Sequence, residues 1–163
     1  MSAHGMNLFI VDDDPSVIVG LRNFLENKFS GNLSITTFNT GESALQQVNK
    51  NTHIVILDYN LHGRDGNEVL QDIKRINPKT EVIMLSSNED VGTAVEAFRK
   101  GATAYVRKGD ASTQKVFYQL TRIIGAPIRF LINEFGVSKF LAIFLMVFLT
   151  IGILAIIALQ FNW

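Results

Sequence analysis

Five short apolar runs, each followed by a stretch with helical spacing, constrain this chain more than any other feature. The runs lie at residues 8–11, 33–38, 54–57, 82–85 and 104–106. Behind the first, Val17, Leu21, Phe24 and Leu25 fall on one face of a helix, and Asp14 and Pro15 suit its N-cap and first position. Val69, Leu70, Ile73 and Ile76 repeat the spacing ahead of Pro78. Val116, Leu120, Ile123 and Ile124 repeat it again, and Gly125 is expected to end that helix. Strands alternating with helices predict an α/β fold, a doubly wound five-stranded parallel sheet covered on both faces. Burial on both faces also explains why a run such as IVIL at 54–57 is aliphatic without alternation.

In open sheets of this kind the ligand site lies outside the carboxyl ends of the strands. The polar residues there are Asp12 and Asp13 after the first run, Asp58 after the third, Ser86 after the fourth and Lys108 after the fifth. Three carboxylates meeting in one crevice repel one another unless a cation sits among them, and oxygen ligands with room for water suit Mg²⁺. A carboxylate is also a competent nucleophile towards phosphorus. The remaining need is charge neutralisation on the phosphoryl oxygens, which an ammonium such as Lys108 and a hydroxyl such as Ser86 can supply. The set is complete for moving a phosphoryl group onto an aspartate.

Four motifs stand at these positions: VDDD at 11–14, LDYNLHGRDG at 57–66, MLSS at 84–87 and AYVRKG at 104–109. In order and spacing they resemble the receiver domain of two-component response regulators, over roughly residues 7–125. The resemblance implies a flavodoxin-like receiver fold with Asp58 as the phosphoacceptor. It puts Mg²⁺ on Asp13, Asp58 and the backbone carbonyl of Asn60, with Asp12 assisting through water. It also implies that Ser86 and Lys108 contact the phosphoryl group and that Ser86 and Tyr105 act as the switch pair. A sensor histidine kinase or phosphotransfer protein would be the donor. The domain would be a signalling module with no catalytic residues of its own beyond those that assist its phosphorylation and dephosphorylation.

Two positions depart from the family pattern: His62 stands where the loop after the phosphoacceptor usually has Pro, and Gly109 follows the lysine where Pro is common. Both are expected to affect loop geometry rather than chemistry. Asn60 and Asn88 occupy positions where the family tunes phosphoryl lifetime. His4, His53 and His62 show no metal-ligand spacing and are expected to be incidental. Simpler readings remain for two residues: Asp14 as a helix cap, and Tyr105 as a half-buried strand aromatic. Two other functions remain open. One is a receiver-fold scaffold, or subunit of a membrane complex, that is not phosphorylated. The other is a haloacid-dehalogenase-like phosphatase whose nucleophile would be Asp12.

Fifteen basic and fifteen acidic side chains cancel, so nothing argues for a nucleic-acid partner, and the absence of cysteine excludes disulfides and thiolate metal sites. The charges are not evenly spread. Residues 111–139 hold Lys115, Arg122, Arg129 and Lys139 against Glu134 alone, and residues 140–163 hold no ionisable side chain. The run FLAIFLMVFLTIGILAIIAL at 140–159 is 20 residues long. At ~1.5 Å per residue it matches a bilayer core of about 30 Å, which predicts a single C-terminal transmembrane helix. The basic side chains ahead of it place the receiver on the cytoplasmic side of the inner membrane, and Trp163 suits the far interface. Residues 160–163 then form a short tail, as in a tail anchor. Residues 126–139 make an amphipathic juxtamembrane segment opened by Pro127, with Ile128, Leu131, Ile132 and Phe135 on one stripe. That stripe fits the lipid interface or a protein partner equally. The expected organisation is 1–125 receiver, 126–139 juxtamembrane, 140–159 transmembrane and 160–163 tail, with a membrane or membrane-protein partner.

Overall fold

A computed structural model describes residues 5–29, 33–88, 90–134 and 147–152, with the backbone alone for 126–134. The chain divides into two compact units, Met1–Thr121 and Arg122–Trp163. Strands β1 (Met6–Val11), β2 (Leu33–Phe38), β3 (Ile54–Asp58), β4 (Glu81–Ser86) and β5 (Ala104–Arg107) of the first unit alternate with helices α1 (Pro15–Phe29), α2 (Gly41–Leu45), α3 (Gly66–Ile76) and α4 (Val91–Arg99), and α5 (Ser112–Glu134) begins in that unit and ends in the second. All pairings are parallel and the order is β2-β1-β3-β4-β5. The expected doubly wound α/β sheet is therefore present.

The sheet's two faces are built from alternate residues of the same strands. Phe9, Val11, Val55, Leu57, Val82 and Met84 pack with Ala44 and Val48, with Val69, Leu70 and Ile73 of α3, and with Ala97 of α4. Their neighbours Leu8, Ile10, Ile54, Ile56, Ile83 and Leu85 point the other way, and α1 and α5 bury Leu21, Leu25, Val116 and Leu120. Each such buried aliphatic side chain contributes about 1.5–3 kcal/mol. Polar side chains fix where the helices begin. Asp65 caps α3 by accepting from the Asn67 N–H, and Asp90 caps α4 by accepting from the Thr93 N–H. Asp14 accepts from the Ser16 N–H at 2.8 Å, so its expected role as a cap holds.

The fifth helix corrects an expectation. Gly125 does not end it: α5 runs on through Pro127 to Glu134. Glycine stops a helix by turning into the left-handed region, and among the described glycines only Gly63, Gly101 and Gly109 have positive φ. Held in the helical region, Gly125 costs only about 1 kcal/mol relative to alanine. Pro127 removes one rung of the hydrogen-bond ladder without ending it.

Most of the 140–159 run, with 135–139 and the 160–163 tail, lies outside the described residues. Within it, residues 147–152 are helical, and Val147, Phe148, Leu149 and Ile151 are exposed. Among the described residues no helix is long and apolar enough to cross a membrane.

Candidate functional site

The order β2-β1-β3-β4-β5 reverses direction between β1 and β3, and a crevice opens at the carboxyl ends of those two strands. Asp12 and Asp13 follow β1, and Asp58 is the last residue of β3. One ligand oxygen from each of the three lies within 4.8 Å of the others. Backbone bonds hold them there. The Asp12 N–H donates to the Phe38 carbonyl at 3.1 Å, and the Tyr59 N–H beyond Asp58 donates to the Leu85 carbonyl at 2.7 Å.

Gly66 packs against the backbone at the end of β3. Its N–H donates to the Tyr59 carbonyl at 3.0 Å. A Cβ at this position would stand 2.8 Å from the Tyr59 Cα and closer still to the Asp58 carbonyl oxygen. Only glycine lets the start of α3 approach the end of β3 so closely.

Lys108 reaches in from the end of β5. Its Nζ lies 2.8 Å from Asp12 Oδ2 and 2.9 Å from Asp58 Oδ2. Its backbone N–H donates to the Ser86 carbonyl at 2.8 Å, which ties the lysine to the end of β4. Burial works against the ammonium, but the close carboxylates of Asp12 and Asp58 more than offset it and hold the lysine above its usual pKa. Burial pushes the Asp12 carboxyl above its usual value, and Lys108 and the Asp14 N–H offset only part of this.

Asp12 is fully buried. Its Oδ1 accepts from the Asp14 N–H at 3.0 Å. Its Oδ2 faces the ammonium at ion-pair distance, but not at an angle that makes a directed hydrogen bond. A buried carboxylate oxygen left in this condition beside two further acids is what a hard divalent cation would satisfy, so the donor set fits Mg²⁺.

The remaining expected residues are nearby. The Asn60 N–H donates to Asp58 Oδ1 at 3.3 Å. Ser86 is buried, and its Oγ accepts from the Asn88 N–H at 3.0 Å. The Tyr105 hydroxyl donates to the Asn88 carbonyl at 3.3 Å, so Ser86 and Tyr105 hold the same short segment after β4 from opposite ends.

One residue was missed. His62 touches the acidic cluster: its ring Nδ1 and its backbone N–H both meet Asp13 Oδ2, the backbone bond being 3.2 Å long. Histidine spacing could not show this, because the contact joins two loops 49 residues apart. The usable signal was its place in the loop four residues after Asp58. His53, by contrast, accepts the Asn7 N–H at its Nδ1, and no metal cluster among the described residues includes it.

Comparison with known proteins agrees with this arrangement. The response regulator receiver domain family matches residues 8–116. The DNA-binding transcriptional regulator NtrC of Klebsiella pneumoniae is 37% identical over 102 residues, covering 61% of this chain and 21% of NtrC. The transcriptional activator protein ExaE of Pseudomonas putida is 32% identical over 107 residues, covering 65% of this chain and 50% of ExaE. The chain thus spans half or less of these relatives. Among solved structures, the response regulator DrrB of Thermotoga maritima superposes with a TM-score of 0.67 at 27% identity, covering 76% of this chain and 54% of DrrB. The BeF3-activated DrrB receiver domain superposes with a TM-score of 0.64 at 28% identity, covering 74% and 97%. With its fold, its acidic crevice and its bridging lysine, the chain belongs to the response regulator receiver domain family.

Proposed function

We propose that this protein is a membrane-tethered receiver that accepts a phosphoryl group on Asp58 and signals through protein contacts. Receiver domains of two-component response regulators are phosphorylated on aspartate, interact with histidine kinases or phosphotransfer proteins, and are signalling domains rather than enzymes in general. They bind Mg²⁺ at an aspartate cluster of this kind. The observation that carries the reading is the single ammonium of Lys108 in contact with both Asp12 and Asp58, with Asp13 alongside, at the switch point of the sheet.

The chemistry follows from these positions. An Asp58 carboxylate oxygen attacks the phosphorus of a phosphohistidine on the partner; an O–P bond forms, the P–N bond breaks and the imidazole leaves with the electron pair. Asp12, Asp13, Asp58 and the Asn60 carbonyl would hold Mg²⁺, which when bound neutralises charge on the acids and on the transferring group. Lys108 exchanges the Asp58 carboxylate for a phosphoryl oxygen. Ser86, whose Oγ accepts from Asn88, retains its own hydrogen to donate to a second oxygen. That movement pulls on the segment that Tyr105 also holds, and the ring turns inward. Phosphorylation shifts this equilibrium only by its differential interaction with the two states.

The tether is the apolar run 140–159, supported by its length, its lack of charge and the exposed apolar helix at 147–152. The basic side chains that precede it favour a receiver facing the cytoplasm at the inner membrane. The names of the relatives speak of DNA binding and transcription; with half or less of their length spanned, that output is theirs. The test is to incubate the full chain in mild detergent with Mg²⁺ and acetyl phosphate and to locate the acyl phosphate by mass spectrometry. Label is expected on Asp58 and absent from Asp58→Asn. Label on Asp12 with turnover of phosphate esters would favour a phosphatase. No label from any donor, kinases included, would favour a scaffold.

A further inference from the structure

We propose that His62 is a positioning residue for the cation: it grips Oδ2 of Asp13 and so presents Oδ1 to the acidic cluster. The inference rests on the reading that the cluster holds Mg²⁺ and adds a residue to it. Asp13 Oδ2 accepts from the backbone N–H of His62 at 3.2 Å and is met by the ring Nδ1 of the same residue, which donates a second bond when it carries the ring hydrogen. An oxygen accepting two hydrogen bonds has its lone pairs engaged, which leaves Oδ1 as the atom for a cation. The contact requires the ring hydrogen on Nδ1, the tautomer in which this nitrogen donates.

Packing does not force the ring into place, because 93% of the His62 side-chain area is exposed. Asp13 itself needs an external grip. Asp12 Oδ1 is fixed by the Asp14 N–H and Asp58 Oδ1 by the Asn60 N–H, whereas the side-chain bonds of Asp13 come from His62. Carboxylates that ligate metals are commonly oriented by such an outer hydrogen bond, and losing it weakens the site. A proline at position 62 would offer neither donor.

The full chain in mild detergent, titrated with MgCl₂ by calorimetry, tests this with His62→Ala and His62→Asn. The amide nitrogen of asparagine falls where Nδ1 stood, so the second variant keeps the donor. His62→Ala should weaken Mg²⁺ binding roughly three- to tenfold, at or below the low end for outer hydrogen-bond partners because this one is exposed. His62→Asn should stay within about twofold of the parent, and melting in EDTA should be the same for all three, since an exposed substitution leaves the fold intact. Equal or tighter binding by His62→Ala overturns the positioning role. So does His62→Asn binding as weakly as His62→Ala. If the parent binds no Mg²⁺, the metal site itself falls and the inference with it; if the parent binds and only the variants contradict, the metal site stands and His62 does not serve it.

Discussion

Lys108 Nζ lies 2.9 Å from Asp58 Oδ2 while it also touches Asp12 Oδ2 at 2.8 Å, so one ammonium bridges the acids that follow β1 and end β3. Removing it leaves two buried carboxylates facing each other. Breaking a fully buried pair costs about 3–5 kcal/mol; with Lys108 partly open to solvent, Lys108→Met should lose about 1–3 kcal/mol in EDTA. Added Mg²⁺ should restore more stability to the variant than it adds to the parent, because the cation then replaces the missing charge. Urea unfolding with and without Mg²⁺ measures both effects.

Asp12 gives the pH dependence. Its pKa is raised above 3.8, chiefly by burial. The native state therefore holds a proton there at pH values where the unfolded chain has lost it. Stability from this group is greatest below the unfolded pKa and falls as pH rises through the folded one. Asp12→Asn should remove that fall and leave the protein more stable than the parent at neutral pH in EDTA, while Mg²⁺ stabilises it less. Urea midpoints from pH 4 to about 7 would show it; a variant less stable than the parent at neutral pH would mean that the charged Asp12 is a net contributor to the fold.

Gly66 ties fold to site. An added methyl would meet backbone atoms of Asp58 and Tyr59, which cannot move aside like the end of a flexible side chain. Gly66→Ala should cost about 1–3 kcal/mol, the usual range for forced overpacking. It should also lower the acyl-phosphate yield under native conditions, since the start of α3 and the end of β3 separate together. Loss of stability with full yield would show that Asp58 is positioned independently of α3.

The sheet was legible because its strands are buried on both faces, so IVIL and VIML stand out as aliphatic runs wherever they lie. The acids and Lys108 were legible for a related reason: acids clustered at one sheet edge repel one another and cost stability, so their presence points to a site. What the sequence hid depends on conformation rather than composition. Gly125 reads as a stop but keeps helical φ, so α5 continues to Glu134. The helical stretch expected after β2 is only the five residues Gly41–Leu45, and its start is fixed by Thr40 accepting from the Ser43 N–H. His62 reads as a loop substitution, and its use emerges only when the loops after β1 and β3 come together over Asp13.

The tail prediction follows from energetics. Residues 140–159 contain no charged or strongly polar side chain, so no face of a helix there prefers water. A soluble partner would have to cover that helix on all sides, whereas a bilayer does so without specific contacts. A chain ending at Gly125 keeps the whole of the first compact unit, Met1–Thr121, and should be soluble and unfold cooperatively in urea. The full chain should float with liposomes in a density gradient and resist extraction by high salt and by alkaline carbonate, since burial in hydrocarbon is insensitive to screening. Release by salt would mean that the basic residues of 111–139 hold the protein to the surface and that the apolar run is covered by protein. Insertion with the receiver on the cytoplasmic face is checked by protease added to right-side-out spheroplasts, in which the receiver should survive until the membrane is opened.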